Sequence, residues 1–130
     1  MRSLLLVGLG GCIGAIGRYV IGEFVKQRIP THPHVGTFVV NMLGCLLIGF
    51  VMSLSLGGES TASQQTWRLL IVTGCLGALT TFSTFGFETV TLLQENRVGD
   101  ALTNVAGNLL IGLPFVWLGM QLAKVFGAPA

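Results

Sequence analysis

Gly74-Cys75-Leu76-Gly77-Ala78-Leu79-Thr80-Thr81-Phe82-Ser83-Thr84-Phe85-Gly86 sits at the centre of an apolar stretch that runs from Trp67 to Leu93. The flanks have the length and hydropathy of a membrane helix; the centre does not have the composition of one. Thr73, Gly74, Gly77, Thr80, Thr81, Ser83, Thr84 and Gly86 crowd together there. Glycine and β-branched residues weaken a helix, and hydroxyls offer the backbone alternative hydrogen bonds. A helix broken at Thr80–Phe85 is therefore expected. The carbonyls so exposed are tolerable in hydrocarbon only where protein or an ion satisfies them. Broken helices in transporters hold ions at their half-helix ends. Phe82 and Phe85 lie three apart and share a face. Two readings of the pair stay open: core filler, or two rings whose positive edges face an anion.

Outward from this stretch, the composition sets the class. Only 9 % of the 130 residues are charged, 52 % are apolar, and the mean hydropathy is +0.79. A soluble domain carries about 25 % charged residues, so this chain has the balance of a membrane protein. A bilayer core needs roughly 20 apolar residues per helix. Four such stretches are present, at about 4–25, 36–56, 67–93 and 101–126. The breaker-rich connections between them are short, which implies one all-α domain, an up-down bundle of four transmembrane helices. Met1-Arg2-Ser3 ahead of Leu4 resembles a secretory signal, and Leu9-Gly10-Gly11-Cys12 a lipoprotein cleavage box. The apolar character runs on to Val25, however, long enough for a full span.

The loop charges are evenly split. One side of the membrane would carry Arg2, Arg68 and Lys124, and the other Lys26, Arg28 and Arg97, three against three. Orientation follows an excess of Lys and Arg on the cytoplasmic side. A tie predicts insertion both ways and an antiparallel dimer of oppositely inserted copies. The alternative is that Arg18, inside the first span, or a factor outside the chain fixes one orientation. Four helices alone pack around a filled core, so any conduction would need two copies.

Polar groups inside the spans are the candidate functional residues. Gly10, Gly11, Gly14, Ala15 and Gly17 form a small-residue packing face. Arg18 either snorkels to the interface or faces a polar vestibule. Asn41, Cys45 and Gly49 recur one turn apart, and Asn41 either glues two helices or lends its amide to a dehydrated anion. Glu88 is the acid deepest in any span, suited to a proton-coupled exporter or to a wet vestibule. Asn104 and Asn108 lie one turn apart on the fourth span, ahead of a Pro114 expected to kink it.

The exclusions are equally direct. Cys12, Cys45 and Cys75 have no CxxC spacing and read as small apolar residues, not as a zinc site or disulfides. His32 and His34 flank Pro33 and read as solvated loop residues. A net charge of +2 and its scatter give no sign of nucleic-acid binding. No nucleophile–base pair or phosphate loop is present, so an enzyme is not expected.

The Gly74–Phe85 run, with its Thr80-Thr81-Phe82-Ser83-Thr84-Phe85 core, resembles the signature of the Fluc (CrcB) fluoride channels. Gly14-Ala15-Ile16-Gly17-Arg18-Tyr19 and Gly36-Thr37-Phe38-Val39-Val40-Asn41 fit that family in the expected order. The resemblance implies a multi-pass protein of the bacterial inner membrane, a dual-topology homodimer with two antiparallel fluoride pores. It implies ring-edge contacts to fluoride from Phe82 and Phe85, a pore-lining donor at Asn41, hydroxyls from Ser83 or Thr84, and a polar track through Asn104 and Asn108. It also implies a structural sodium ion (Na+) at the dimer interface, held by the backbone carbonyls of Gly77 and Thr80. Ala78 replaces a glycine frequent in the family, and Gly112 and Val116 stand where members often carry hydroxyls. The rival reading is a small proton-coupled multidrug transporter, which needs an acid at the centre of the first span; here that span has only Glu23, near its end.

The charge tie has a direct readout. Single cysteines placed in the loops should be labelled by a membrane-impermeant reagent in equal shares from each side. Labelling from one side alone would establish a fixed orientation.

Overall fold

The computed structural model describes residues 1–55 and 61–127. Its described residues form helices joined by short turns: α1 (Arg2–Arg28), α2 (His34–Ser55), a compound third span, α6 (Val98–Leu110) and α7 (Gly112–Gly127). The third span is made of α3 (Ala62–Trp67), a π-helix over Arg68–Leu76, α4 (Gly77–Leu79) and α5 (Phe82–Gln94). Four stretches, Arg2–Arg28, His34–Leu54, Ala62–Gln94 and Val98–Phe126, are long and apolar enough to cross a membrane. The four expected spans are therefore present, each extended by polar end turns that hydropathy does not register. The expected second span's last residue, Leu56, and the connection through Ser60 lie outside the described residues.

The added turns have local causes. Thr61 and Gln64 form a capping box: the Thr61 hydroxyl accepts from the Gln64 N–H at 3.3 Å, and Gln64 Oε1 accepts from the Thr61 N–H at 3.1 Å. This satisfies two N-terminal amides and starts the third span five residues before Trp67. At the fourth span, Arg97 Nε donates to Asp100 at 2.7 Å across the first turn of α6.

The break in the third span is narrower than the hydroxyl run. Thr80 (φ −77°, ψ 150°) and Thr81 (φ −142°, ψ 107°) are extended, whereas Phe82, Ser83, Thr84 and Phe85 form the first turn of α5. Two extended residues suffice to withdraw from the carbonyls of Gly77 to Thr80 the donors that a continuous helix would supply four residues on. The π-helix just upstream had no counterpart in the sequence reading. The fourth span is interrupted at Ile111, and Pro114 is the cause. Its missing N–H leaves the Leu110 carbonyl without a helical donor, while the Phe115 N–H still reaches the Ile111 carbonyl at 3.0 Å.

Glycines show how the spans are arranged. Gly10 and Gly14 of α1 lie against the backbone of Leu70 and Cys75, and Gly74 against Val7 and Gly10. Residue numbers rise together on both sides, so the first and third spans run parallel. Gly107 meets Phe38, Gly112 meets Met42 and Cys45, and Gly119 meets Leu46 and Phe50, so the second and fourth spans are parallel as well. Gly36 lies against Gly22, across the turn that joins the two antiparallel helices α1 and α2. An up-down bundle follows. Gly11, part of the expected small-residue face, meets nothing within 4 Å in the single chain. The core proper is small, built on Val40, Leu76 and Leu79, with Ile21, Ile48 and Ile71 packed against it. Leu9, Ile13, Ile16 and Val20 point outward along α1, the pattern of a surface that faces lipid or another helix rather than water.

Close backbone approach makes these glycines hard to replace. A Cβ on Gly14 would run into the Cys75 carbonyl, and one on Gly49 into the Val116 carbonyl. Gly14→Ala and Gly49→Ala should each destabilise the protein by about 1–3 kcal/mol through overpacking. Gly99→Ala, with nothing within 4 Å, should be near neutral. Thermal unfolding in detergent measures the difference.

Candidate functional site

The break at Thr80–Thr81 is met from the side by α2. In a continuous helix the Thr81 N–H would donate to the Gly77 carbonyl; here it donates to Asn41 Oδ1 at 3.1 Å. Asn41 reaches it because α2 crosses the third span at this level, where Gly44 leaves room for the Thr80 side chain. Both ends of the Asn41 side chain join helices, as the glue reading has it: its carbonyl oxygen ties α2 to the break in the third span, and its amide reaches α6.

Asn41 Nδ2 donates to Asn108 Oδ1 at 2.9 Å. Asn108 Nδ2 donates to Asn104 Oδ1 at 3.1 Å and to the Asn104 main-chain carbonyl at 2.9 Å. Asn104 Nδ2 donates to Thr89 Oγ1 at 3.0 Å, and the Thr89 hydroxyl donates to the Phe85 carbonyl at 2.8 Å. An unbroken relay thus leaves the break, passes through three asparagines and returns to α5 one turn below Phe85. Asn104, at its centre, is only 3 % exposed. In an apolar setting each of these bonds spares the full cost of an unpaired amide.

Beside the relay is a cavity of about 380 Å³, lined among others by Asn41, Thr80, Thr81, Phe82, Phe85 and Asn108. Much of its remaining wall is apolar, with Ile48, Val72 and Leu76. The Phe82 and Phe85 rings stand 5.6 Å apart, tilted by 49°. Phe85 is half-buried, but Phe82 is 83 % exposed, so within one chain it is no core filler. Ser83 and Thr84 are exposed and lie outside the cavity wall. Gly77, also exposed, lines the cavity with Thr80. The structure therefore brings together Asn41, Phe82, Phe85, Asn104 and Asn108, and sets Ser83 and Thr84 apart from them.

Glu88 and Arg18 fall elsewhere. Glu88 Oε1 accepts from the Thr37 hydroxyl at 2.7 Å, one turn before Asn41 on α2. It also lines a second cavity of about 240 Å³ with Pro33, His34, Glu95 and Arg97. Arg18 is half-buried on α1 and lines neither cavity. The reading of His34 as a solvated loop residue is corrected: it is the first residue of α2 and only 7 % exposed. Packing of the α1–α2 turn against the α5–α6 turn covers it, with the His32 ring set edge-on and the two ring centroids 5.7 Å apart. Pro33 suggested a loop through the breaker rule, yet a proline just ahead of a helix is a common start.

Three participants were not singled out from the sequence: Thr37, Thr89 and the Thr81 main-chain N–H. Thr89 carried a signal, since it is one turn from Phe85 on the face where a hydroxyl can reach that carbonyl. The partner of the Thr81 N–H depends on how α2 crosses, which no local pattern encodes.

This arrangement of a helix break, paired phenylalanines and an asparagine relay can be set beside known proteins. A model of the family described as CrcB-like protein, Camphor Resistance (CrcB), matches residues 5–120. The chain belongs to the CrcB family. It is 46 % identical over 121 residues to the fluoride-specific ion channel FluC of Sulfurovum sp., covering 93 % of each chain. The FluC of Chloroflexus aurantiacus is 42 % identical over 127 residues, covering 98 % of this chain and 99 % of that one. The FluC of Acidobacterium capsulatum is 42 % identical over 116 residues, 89 % and 91 % of the two chains.

Removing the tie across the break should be costly. Asn41→Val leaves the Thr81 N–H and Asn108 Oδ1 without partners in a site of low polarity. A loss of about 1–3 kcal/mol for each buried group left unpaired is expected, read as a lower midpoint of unfolding in detergent.

Proposed function

We propose that this protein is a fluoride-selective channel that lets fluoride leave the cytoplasm passively, and the observation that carries the reading is the Asn41–Phe82–Phe85 cavity beside the broken helix. The CrcB family to which the chain belongs includes relatives named for fluoride-specific conduction, and the protein is a membrane channel, not an enzyme. Fluoride is small and tightly hydrated, so stripping its water is unfavourable unless donors replace it. Asn41 supplies an amide donor and the two phenylalanines supply positive ring edges. The largely apolar remainder of the cavity wall lowers the local polarity and so strengthens what those donors offer. Chloride, larger and less tightly hydrated, gains less from them.

The working unit we infer is an antiparallel dual-topology homodimer with two pores in the bacterial inner membrane, the break lying near mid-membrane. Two features support it: the three-against-three division of loop charges, and a single chain in which Phe82 is 83 % exposed beside the exposed Gly77. A second copy over this face would enclose the ring and leave Ser83 and Thr84 within reach of the ion path. Among the described residues no group of three or more His, Cys, Asp or Glu could hold a metal. The Gly77 and Thr80 carbonyls, deprived of helical donors by the break, are instead the oxygen ligands a hard cation prefers. A sodium ion held there at the dimer axis would satisfy those carbonyls with a positive charge. Gly77, whose own Cβ position meets only the Val72 carbonyl at 3.6 Å, gives such an ion an unhindered approach.

The proton-coupled transporter reading is not favoured. Its first-span acid would have to be Glu23, and Glu23 lies on the exposed end of α1, 3.6 Å from Lys26.

Liposomes loaded with fluoride and chloride test the reading. With potassium permeability supplied, the protein should release fluoride electrogenically while chloride is retained; equal release of both anions would defeat it. Phe82→Ile and Phe85→Ile should each cut fluoride flux about tenfold or more, equivalent to ~1.4 kcal/mol or more of added barrier. Unaltered flux would remove the rings from the ion path.

A further inference from the structure

Two buried side-chain polar atoms among the described residues have no hydrogen-bond partner: His34 Nδ1 and Glu88 Oε2. They come from different helices, α2 and α5, yet both residues line the cavity of about 240 Å³ next to the α1–α2 turn. His34 and Thr37 share a face of α2, and the Thr37 hydroxyl donates to the other Glu88 oxygen at 2.7 Å. The Glu88 carboxyl group is thus held against the face of α2 on which His34 lies, one turn away. Access limits what can satisfy the two orphaned atoms. His34 is only 7 % exposed, and neither atom is open to solvent. A water molecule or hydrated ion seated in the cavity therefore touches neither of them, whereas a proton can reach both.

Chemistry makes the two atoms complementary only when that proton is present. An imidazole nitrogen bearing a lone pair and a carboxylate oxygen are both acceptors, and two acceptors do not bond. A proton on Nδ1 turns the histidine into a cationic donor, and its hydrogen bond to a carboxylate is of the strong, charge-assisted kind. The neighbouring charges bear on this from every side. His32 faces His34 from its own turn, Glu95 and Arg97 from the α5–α6 turn, and Asp100 from α6 beyond them. Lys26 and Arg28 lie on the exposed end of α1. Arg97 is already matched by Asp100 at 2.7 Å and by Glu95 at 3.5 Å, and Asp100 also lies 3.9 Å from His32. Glu88 is the acid at this end of the fold that has an unpaired buried oxygen to offer.

We propose that His34 and Glu88 form a proton-operated latch: a proton taken up on acidification is shared between His34 Nδ1 and Glu88 Oε2 and joins the first turn of α2 to α5. The flexible Glu88 side chain and the open cavity beside it allow the two groups to meet. The latch ties together the helices that carry Asn41 and Phe85, at the end of the bundle nearer the α1–α2 turn. It operates whichever ion the protein conducts.

The test reads the contact directly. His32→Gln leaves His34 as the one histidine of the chain. This protein is made by cell-free synthesis with ¹⁵N-histidine and with glutamate ¹³C-labelled at the side-chain carboxyl, reconstituted in liposomes, and studied by magic-angle-spinning NMR. Spectra are compared at about pH 5.5, between the ordinary glutamate and histidine pKa values, and at about pH 8, above both. A dipolar coupling between His34 Nδ1 and a glutamate carboxyl carbon should be present at the lower pH and weaker by severalfold at the higher. It should vanish in Glu88→Gln, where the labelled carboxyl is gone, and persist in Glu95→Gln. No coupling at the lower pH overturns the proposal, and so does a coupling equal at both, which marks a permanent contact. A coupling that survives Glu88→Gln makes another acid the partner and overturns it as well. If Glu88→Gln does not reconstitute, Glu95→Gln decides the partner, and loss of the coupling there is the defeating result.

Discussion

The hydrogen bond from the Thr81 N–H to Asn41 Oδ1, 3.1 Å long, is the interaction on which the rest of the architecture turns. A helix can be interrupted in an apolar span only if the freed backbone groups find partners. Asn41 takes the amide, and this permits two extended residues inside the third span. The break in turn frees the carbonyls before it and starts α5 afresh at Phe82, so that Phe82 and Phe85 stand together at a helix N-terminus. One side-chain oxygen therefore couples helix termination, ring placement and the start of the polar relay.

That hydrogen bond needs α2 and the third span at close range, and glycine provides the range. Gly44 admits the Thr80 side chain, Gly10 and Gly14 seat the backbone of the third span on α1, and Gly49 and Gly119 seat α7 on α2. Membrane helices gain little from burying apolar surface, because lipid is as apolar as the core. Backbone proximity and interhelical hydrogen bonds must then supply the specificity. The small core and the number of glycines without room for a Cβ are two views of this condition.

The relay also resolves a tension inherent in putting amides in hydrocarbon. An asparagine offers donors and acceptors together, and an anion path wants only the donors turned toward it. Chaining three amides between groups whose hydrogen-bonding sense is fixed turns each one in a definite direction. The acceptors are spent on protein, and a donor is left at the cavity. Main-chain groups at Thr81 and Asn104 fix the sense of Asn41 and Asn108, and the Thr89 hydroxyl takes up the last amide.

Much of this was legible in the residues themselves. Four apolar stretches, the hydroxyl-rich interruption and a disturbance of the fourth span at Pro114 follow from composition and spacing, because hydropathy and helix propensity are properties of short segments; that Asn41, Phe82, Phe85, Asn104 and Asn108 belong together was implied only by the family resemblance. The polar first turns at Ala62 and Val98 were not legible, since hydropathy averages do not see capping. His34 was misread because a breaker rule says nothing about which turn packs over it. The sequence also offered four hydroxyls at the break without ranking them. Tertiary structure decided that Ser83 and Thr84 fall outside the single-chain cavity, and that Thr89 closes the relay. The reason is geometric: a hydrogen bond is made or lost within a few tenths of an ångström, and that precision is set by how helices distant in sequence cross, not by what any one of them contains.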